Sequence, residues 1–527
     1  MKNIVVCSDG TGNSSIKGRG TNVFKLFEAM DLVGHRTDAT LTPQVAFYDD
    51  GVGTETFKPL KVFAGMTGFG LSRNVKQLYK EVVRLYDPGD AIFLFGFSRG
   101  AFTVRTLAGF IATCGLLDPE SLHTTAALDA AVAEAYRVYR RSYRTKVAEI
   151  FLGKPDRTKG REFRARRCRD CEVRIRFIGV WDTVDAVGLP FHLADVLNTV
   201  LYRFKFPDHR LSASVDQAAH ALAVDDGRHS FHPLLWDETA EASGRIEQVW
   251  FAGAHSNVGG GYPKQGMSLV ALDWLMAAAE RAGLRFVESD RRLARDHANV
   301  DDKLYDPRAG LGVFYRSKPR DIAAICRTTN VVPKVHLSVL ERAAHGTQDY
   351  APGNLPLAAK VVVTPSPLPG GAALLEERAA RTEAVLREES GLTLLSRVRT
   401  PRLVGQVSYY VYLAACLMAL VAASAPGSLS SVLDVRAFPG QVVATIGGFL
   451  TSPLQSGIGL ARRLLAEPKL LAGLGGGFVV AYLMAFLAER RMRAVFSTFW
   501  HEVQPRLRAA LKQARATVAE NLPSSRP

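Results

Sequence analysis

A hydroxyl, a carboxyl and an imidazole recur in one local context along this chain, each just past a short apolar run: Ser98 after AIFLFGF, Asp182 after FIGVW, and His255 after QVWFAGA. A serine hydroxyl is a poor nucleophile at neutral pH. It needs a base to take its proton, and the base needs a carboxylate to orient it. The three residue types together fit acyl transfer through Ser98, with His255 as general base and Asp182 as its partner. Ser98 sits at the centre of Gly96-Phe97-Ser98-Arg99-Gly100, between an apolar strand pattern and a helical one. A nucleophile carried on so sharp a turn leaves no room for side chains two residues to either side, which is what glycine at 96 and 100 provides.

Each partner has competitors. Asp185 stands three residues beyond Asp182, and His220, His229 and His232 are rivals to His255 among twelve histidines. The position just past a strand and before the glycine run 259–261 favours His255, with Gly259 and Gly260 forming a tight, backbone-exposed loop. The negatively charged tetrahedral intermediate of acyl transfer needs two N–H donors. One is the amide of Arg99. The second is expected from the turn-rich stretch Ser8-Asp9-Gly10-Thr11-Gly12-Asn13, at Gly10 or Thr11, with Asp9 fixing the loop.

The elements that must position these groups alternate. Short apolar runs at 3–7, 91–95, 173–180 and 248–252 predict strands, and the patterns at 75–86, 102–114 and 268–282 predict helices. That alternation predicts an α/β fold, a mostly parallel sheet with helices on both faces. In such sheets functional groups gather outside the carboxyl ends of the strands, where all three candidate residues fall.

At 527 residues, 47% hydrophobic and 22% charged, the chain is long enough for a sizeable core, and disordered, collagenous and disulfide-scaffold classes are excluded. Six cysteines include one close pair, Cys168 and Cys171, without the second pair that a zinc site requires, so no metal or cofactor is expected. The first ten residues read as a buried strand and not as a secretory signal. The formal charge of +15 favours an anionic partner. Part of it lies in a basic insertion near 135–172, densest over 151–176, where ten basic residues meet four acidic ones. No groove-reading motif or aromatic-basic platform points to nucleic acid.

The mean hydropathy of +0.02 has a local origin. Residues 403–425 and 470–488 are free of charge and long enough to cross a bilayer as helices. The stretch 437–461 is diluted by polar residues and Pro453 and reads as interfacial or re-entrant. Arg397, Arg399 and Arg402 precede the first run, and Arg490, Arg491 and Arg493 follow the second. This predicts a transmembrane hairpin with both ends on the cytoplasmic side. The expected layout is a catalytic domain at 1–395, a membrane-anchoring segment at 396–495 and a basic tail at 496–527.

The segments CSDGTGN (7–13), YDDGVGT (48–54), GFSRGAFTVR (96–105), GVWDTVDAVG (179–188) and WFAGAHSNVGGGYP (250–263) occur in the order found in a family of α/β hydrolases. The sequence resembles that family, which includes phospholipase effectors of bacterial type VI secretion systems, over about residues 1–280. It departs from the family pattern at Asn257, where many members carry an acidic residue. The resemblance implies Ser98 as nucleophile, His255 as base and Asp182 as its partner, and hydrolysis of glycerophospholipid esters at a membrane. It implies a secretion-machinery or immunity-type protein as partner. Two other readings exist. One is a membrane-anchored interaction protein with a dead site. The other is an aspartate-nucleophile phosphatase built on Asp9-Gly10-Thr11, which would need an aspartate where this chain has Cys7.

Overall fold

The computed structural model describes residues 1–10, 20–50, 69–142, 158–184, 209–239, 244–309, 317–366, 371–389, 394–424 and 468–521. Eight strands form one sheet in the order β2-β1-β3-β4-β5-β6-β7-β8. They are β1 (Asn3–Ser8), β2 (Gln44–Asp49), β3 (Ala91–Phe97), β4 (Ile175–Trp181), β5 (Val215–Ala223), β6 (Ile246–Phe251), β7 (Lys334–His336) and β8 (Lys360–Val362). Each neighbouring pair runs parallel.

The central strands read as continuous apolar runs because both faces are covered. Successive side chains go to opposite faces. Ile4, Val6, Ile92, Leu94 and Val180 enter one core, and Val5, Cys7, Phe93, Phe95 and Trp181 enter the other. The first core is closed by the helices Phe69–Leu85, Arg99–Cys114 and Thr125–Arg141, and the second by Asn22–Glu28 and Gly266–Arg281. The strand order reverses at β1, which has β2 on one side and β3 on the other. At such a point the outgoing loops diverge and leave a crevice at the carboxyl edge. In register, Ser8 pairs with Asp49 and with Gly96, so the loop leaving β1 lies beside the turn leaving β3.

Half the strands lack a clear signal in the sequence. β5, VDQAAHALA, has four alanines, which favour helix. Its strand form is imposed by pairing with β4 on one side and β6 on the other. β7 and β8 have three residues each, too few for a period to show. The predicted helices also start early, at Phe69 instead of 75 and at Arg99 instead of 102.

The chain divides into two compact units, Met1–Thr393 with Trp500–Pro527, and Leu394–Phe499. In the second unit the helix Arg399–Ser424 packs antiparallel against the first part of the helix Pro468–Asn521. Tyr412 meets Phe478 with ring centroids 5.7 Å apart, and a Cβ on Gly477 or Gly405 would lie 3.7 Å or 3.9 Å from those of Ala415 or Ala488. Small residues thus let the two backbones approach. Large apolar side chains on both helices are exposed, including Leu403, Tyr410, Val479, Tyr482 and Phe486. Where the sequence predicts two spans, one helix among the described residues, over Ala472–Gln513, is long and apolar enough to cross a membrane. The stretch 437–461, the last residue of the first predicted span and residues 143–157 of the basic insertion lie outside the described residues.

Beyond its cationic stretch the last helix continues to Asn521, where the sequence predicts a separate tail from 496. Trp500, Val503, Leu507 and Leu511 share one helical face and are buried in the first unit. The Trp500 indole N–H donates to the Pro352 carbonyl at 3.0 Å. Trp500→Ala should therefore destabilise the protein by about 3–5 kcal/mol. Leu483→Ala, on an exposed residue, should leave stability in detergent unchanged. Equal denaturation midpoints for Trp500→Ala and the parent protein would contradict this packing.

Candidate active site

Gly96-Phe97-Ser98-Arg99-Gly100 closes β3 and opens a sixteen-residue helix. Ser98 has φ 59° and ψ −122°, a backbone region that non-glycine residues rarely occupy. Its N–H donates to the Trp181 carbonyl at 3.0 Å, and its carbonyl receives the Phe102 N–H at 3.3 Å. The turn is therefore held from β4 and from its own helix. A Cβ on Gly100 would lie 2.1 Å from the Ser8 carbonyl oxygen, and one on Gly96 would lie 2.6 Å from the Gly100 carbonyl oxygen. Neither position has room for any side chain. Arg99 is the first residue of the helix, where an N–H has no intrahelical acceptor and the positive end of the helix dipole faces Ser98.

Asp182 follows β4 directly and is completely buried, with φ 36°. Its Oδ2 lies 2.6 Å from His255 Nδ1. Its Oδ1 accepts the Ala223 N–H at 3.0 Å. Arg320, also completely buried, straddles the carboxylate, with Nη1 donating to Oδ1 at 2.7 Å and Nη2 to Oδ2 at 2.8 Å. Burial alone would push the Asp182 carboxyl up, but the Arg320 guanidinium and the His255 bond hold it well below the usual carboxylate range. An ionised carboxylate only accepts, so the proton on this contact belongs to His255 Nδ1 and the lone pair to Nε2.

His255 opens the short helix His255–Gly259, four residues past β6. Its ring packs against Phe97, with centroids 4.6 Å apart, and against the edge of Phe231 at 5.0 Å. Phe97 is the residue before Ser98, so the imidazole is packed beside the turn that carries the hydroxyl. Burial lowers the His255 pKa below the ordinary imidazole value, and Asp182 offsets that only in part. The His255 N–H donates to Asp226 Oδ2 at 3.2 Å, and the same carboxylate takes a two-pronged contact from Arg228.

The loop behind His255 is fixed by close approach. A Cβ on Gly259 would fall 2.0 Å from the Phe97 ring, and Gly260, at φ 87°, forms a bridge with Thr21. Asn22, wholly buried, donates from Nδ2 to the carbonyls of Val258 and Ser268, both at 2.8 Å. Asn257 donates to the Lys303 carbonyl at 3.0 Å while its Oδ1 accepts the N–H groups of Ala254 and Tyr305, both at 3.3 Å. The amide at this position thus does something a carboxylate cannot.

The rival histidines are engaged elsewhere. His220 accepts the Thr183 N–H on Nε2 at 3.1 Å, beneath the Asp182 turn, and burial lowers its pKa to about 3. His232 bonds through Nε2 to the Lys318 carbonyl at 3.1 Å, and burial lowers its pKa to about 4. His229 packs edge-on against His232, 5.2 Å between centroids. Asp185 and Thr11 lie outside the described residues. Gly10 is present, but its N–H points at Asp9 Oδ1, 2.6 Å away. Asp9 also accepts from Thr21 Oγ1 at 2.5 Å and from Tyr48 Oη at 2.7 Å, and burial pushes its pKa up to about 6 despite those bonds. Asp9 thus ties the loop after β1 to β2 and to the helix Asn22–Glu28. Cys7, at the position where the phosphatase reading needs an aspartate, is buried in the core.

Arg320, Asn22, Asp226 and Arg228 carry no local signal in the sequence. Arg320 lies 138 residues from Asp182, and its type is ordinary in a chain with 66 lysines and arginines.

Residues 2–278 match the model of the family described as type VI secretion system phospholipase effector, Tle1-like, catalytic domain. An uncharacterized protein of Saccharomyces cerevisiae is 29% identical over 249 residues, 45% of this chain and 33% of that protein. The chain thus aligns with about a third of the length of this curated relative. Among solved structures, an uncharacterized protein from Pseudomonas aeruginosa is similar at 19% identity and a TM-score of 0.30, covering 73% of this chain and 59% of that one. The Tle1 effector bound to the VgrG spike of the type VI secretion system is similar at 18% identity and a TM-score of 0.26, covering 49% and 51%.

Two substitutions test this geometry. Gly100→Ala should abolish soluble folded protein, read as loss of the soluble fraction and of cooperative melting, because the new methyl would overlap the Ser8 carbonyl. Asn257→Asp should cost about 1–3 kcal/mol at neutral pH, since the Lys303 carbonyl loses its donor. Unchanged melting of Asn257→Asp would contradict the donation from Asn257 Nδ2 to the Lys303 carbonyl.

Proposed function

The chain belongs to the family of type VI secretion phospholipase effectors with a Tle1-like catalytic domain, and on that footing we propose that it hydrolyses carboxylic esters of phospholipids through an acyl-serine intermediate on Ser98. The observation that carries this reading is the 2.6 Å contact of His255 Nδ1 with Asp182, at the sheet edge where Ser98 stands on a positive-φ turn. His255 Nε2 takes the Ser98 proton as Oγ attacks the ester carbonyl carbon. The resulting oxyanion is stabilised by the Arg99 N–H, with a second donor from the loop after β1. Collapse expels the glycerol oxygen, which receives the proton from His255 and leaves as a lysophospholipid. Water, deprotonated by the same imidazole, then attacks the acyl-serine, and fatty acid and free Ser98 are restored.

The rest of the chain fits a lipid substrate. We assign residues 1–395 to the catalytic domain and 396–495 to membrane attachment, with the exposed apolar faces of the helices Arg399–Ser424 and Pro468–Asn521 toward lipid. Two spans at 403–425 and 470–488 form the proposed hairpin. Arg490, Arg491 and Arg493 directly follow the apolar run, where each cation near anionic headgroups adds on the order of 1 kcal/mol of attraction. A secretion-machinery component is the partner class that membership of an effector family suggests.

The test compares the wild type with Ser98→Ala on vesicles of defined phospholipids, reading fatty acid and lysolipid. The wild type should release both, and Ser98→Ala should fall by on the order of 10⁴-fold or more. Equal activity of the two proteins would remove Ser98 from the reaction. Because burial holds the His255 pKa below its ordinary value, kcat/KM should stay level from pH 8 down to pH 7. It should fall only as the pH drops below the normal imidazole range. An acid limb centred above pH 7 would contradict the assignment of His255.

A further inference from the structure

The four terminal N–H bonds of Arg320 all end on site-building acceptors. Two go to the Asp182 oxygens at 2.7 Å and 2.8 Å, one to the Ala223 carbonyl and one to the Phe231 carbonyl. Asp182 in turn accepts two bonds on each oxygen: Ala223 N–H and Arg320 Nη1 on Oδ1, and His255 Nδ1 and Arg320 Nη2 on Oδ2. The fork therefore fixes the carboxylate plane, and it spans the end of β5 through Ala223 and the wall of His255 through Phe231. No exposed surface of either partner remains for water to share the charge, since both side chains are completely buried.

We infer that Arg320 is a positioning residue for the proposed reaction: its guanidinium holds the Asp182 carboxylate in the plane that meets His255 Nδ1 and sets a full positive charge against it. The inference rests on the serine-hydrolase reading above.

An Asp-His pair with an unneutralised carboxylate favours the imidazolium, which raises the base's pKa. Here a full positive charge sits on the far side of the same carboxylate. The other groups around His255 do not restore the imbalance. Asp226, under the His255 backbone N–H, is paired with Arg228, and the two act on His255 in opposite directions, Asp226 raising its pKa and Arg228 lowering it. Asp225 receives the Gly253 N–H and the Tyr350 hydroxyl. His220 and His232, on β5 and in the loop after it, are held neutral by burial at neutral pH. Tyr262, in the loop after the helix His255–Gly259, has its pKa raised by burial and adds no charge there. Burial lowers the His255 pKa and Asp182 raises it, so the strength of the Asp182 contribution is what a counter-charge on that carboxylate would adjust.

A residue that only braces the fold would change how much enzyme is active but not the pH at which it works. The test is the second-order rate of fluorophosphonate labelling of Ser98 as a function of pH, in the full-length protein in detergent, for wild type, Arg320→Gln and Arg320→Lys. The midpoint of the acid limb does not depend on what fraction of a variant folds. Arg320→Gln should move that midpoint up by about one pH unit, tenfold in proton affinity. It should lower the plateau on the order of 100-fold. Arg320→Lys keeps the charge and loses the fork, so its midpoint should stay within a few tenths of wild type while its plateau falls. An unmoved midpoint in Arg320→Gln overturns the inference, as does a lysine variant shifted as far as the glutamine one. Should Arg320→Gln yield no folded protein, a lysine variant with an undiminished plateau overturns it equally. Labelling of Ser98→Ala at the wild-type rate would instead sink the underlying reading, so the two failures are distinct.

Discussion

Completely buried, the Asp182 carboxylate is ionised because four hydrogen bonds surround it, two of them from a guanidinium. A carboxylate taken out of water costs several kcal/mol unless its charge and lone pairs are met. Meeting them here draws in the end of β4 through Asp182 itself, the end of β5 through Ala223, the start of the helix after β6 through His255, and Arg320 from a further segment. Asp182 also sits next to Trp181, whose carbonyl receives the Ser98 N–H. Four chain segments that are far apart in sequence are thus pinned to one edge by the requirements of a single charge. Loss of any one of these partners leaves an uncompensated buried group, which is why this corner of the molecule is held so tightly.

The sheet makes that corner possible. With parallel strands β3, β4, β5 and β6 in adjacent positions, their carboxyl ends open onto the same side. β5 contributes no candidate catalytic residue, but it separates β4 from β6. Its end supplies the Ala223 N–H, and the loop after it supplies Asp226. The reversal of strand order at β1 brings the loop carrying Asp9 and Gly10 beside Ser98, and the missing side chain of Gly100 is what lets the Ser8 carbonyl pass. In this loop the observed hydrogen bonds serve cohesion. The Gly10 N–H is spent on Asp9, and Asp9 on Thr21 and Tyr48. A second oxyanion donor from this loop therefore requires Gly10 to turn from Asp9, or an amide beyond Gly10.

Features written in neighbouring residues were legible in the sequence. The β3 turn is one, because strand, glycine spacing and helix lie within some twenty consecutive residues. The apolar surplus after residue 400 is another, because a bilayer-length run is a property of one segment. Arg320 was not legible: its meaning comes from a partner 138 residues away, and a basic residue has many ordinary uses. β5 was hidden by alanines whose intrinsic preference is overridden by two flanking strands. The extension of the last helix past Arg493 was hidden for a related reason. Charge ends a membrane run, but it does not end a helix.

Two kinds of surface share the last helix in sequence order. From Ala472 onward the helix Pro468–Asn521 first shows large apolar side chains outward, then a cationic stretch, then a face whose Trp500, Val503, Leu507 and Leu511 are buried in the first unit. An apolar stretch exposed at Val479, Tyr482 and Phe486 is costly in water and favourable in hydrocarbon, whereas the apolar face after Phe499 is already covered by protein. Along this helix the large exposed apolar side chains among the described ones lie before the arginines, and the apolar face beyond them is covered by the fold itself. The positive charge between them lies where headgroups would meet such a segment, so the helix sorts its own residues by the solvent each one needs.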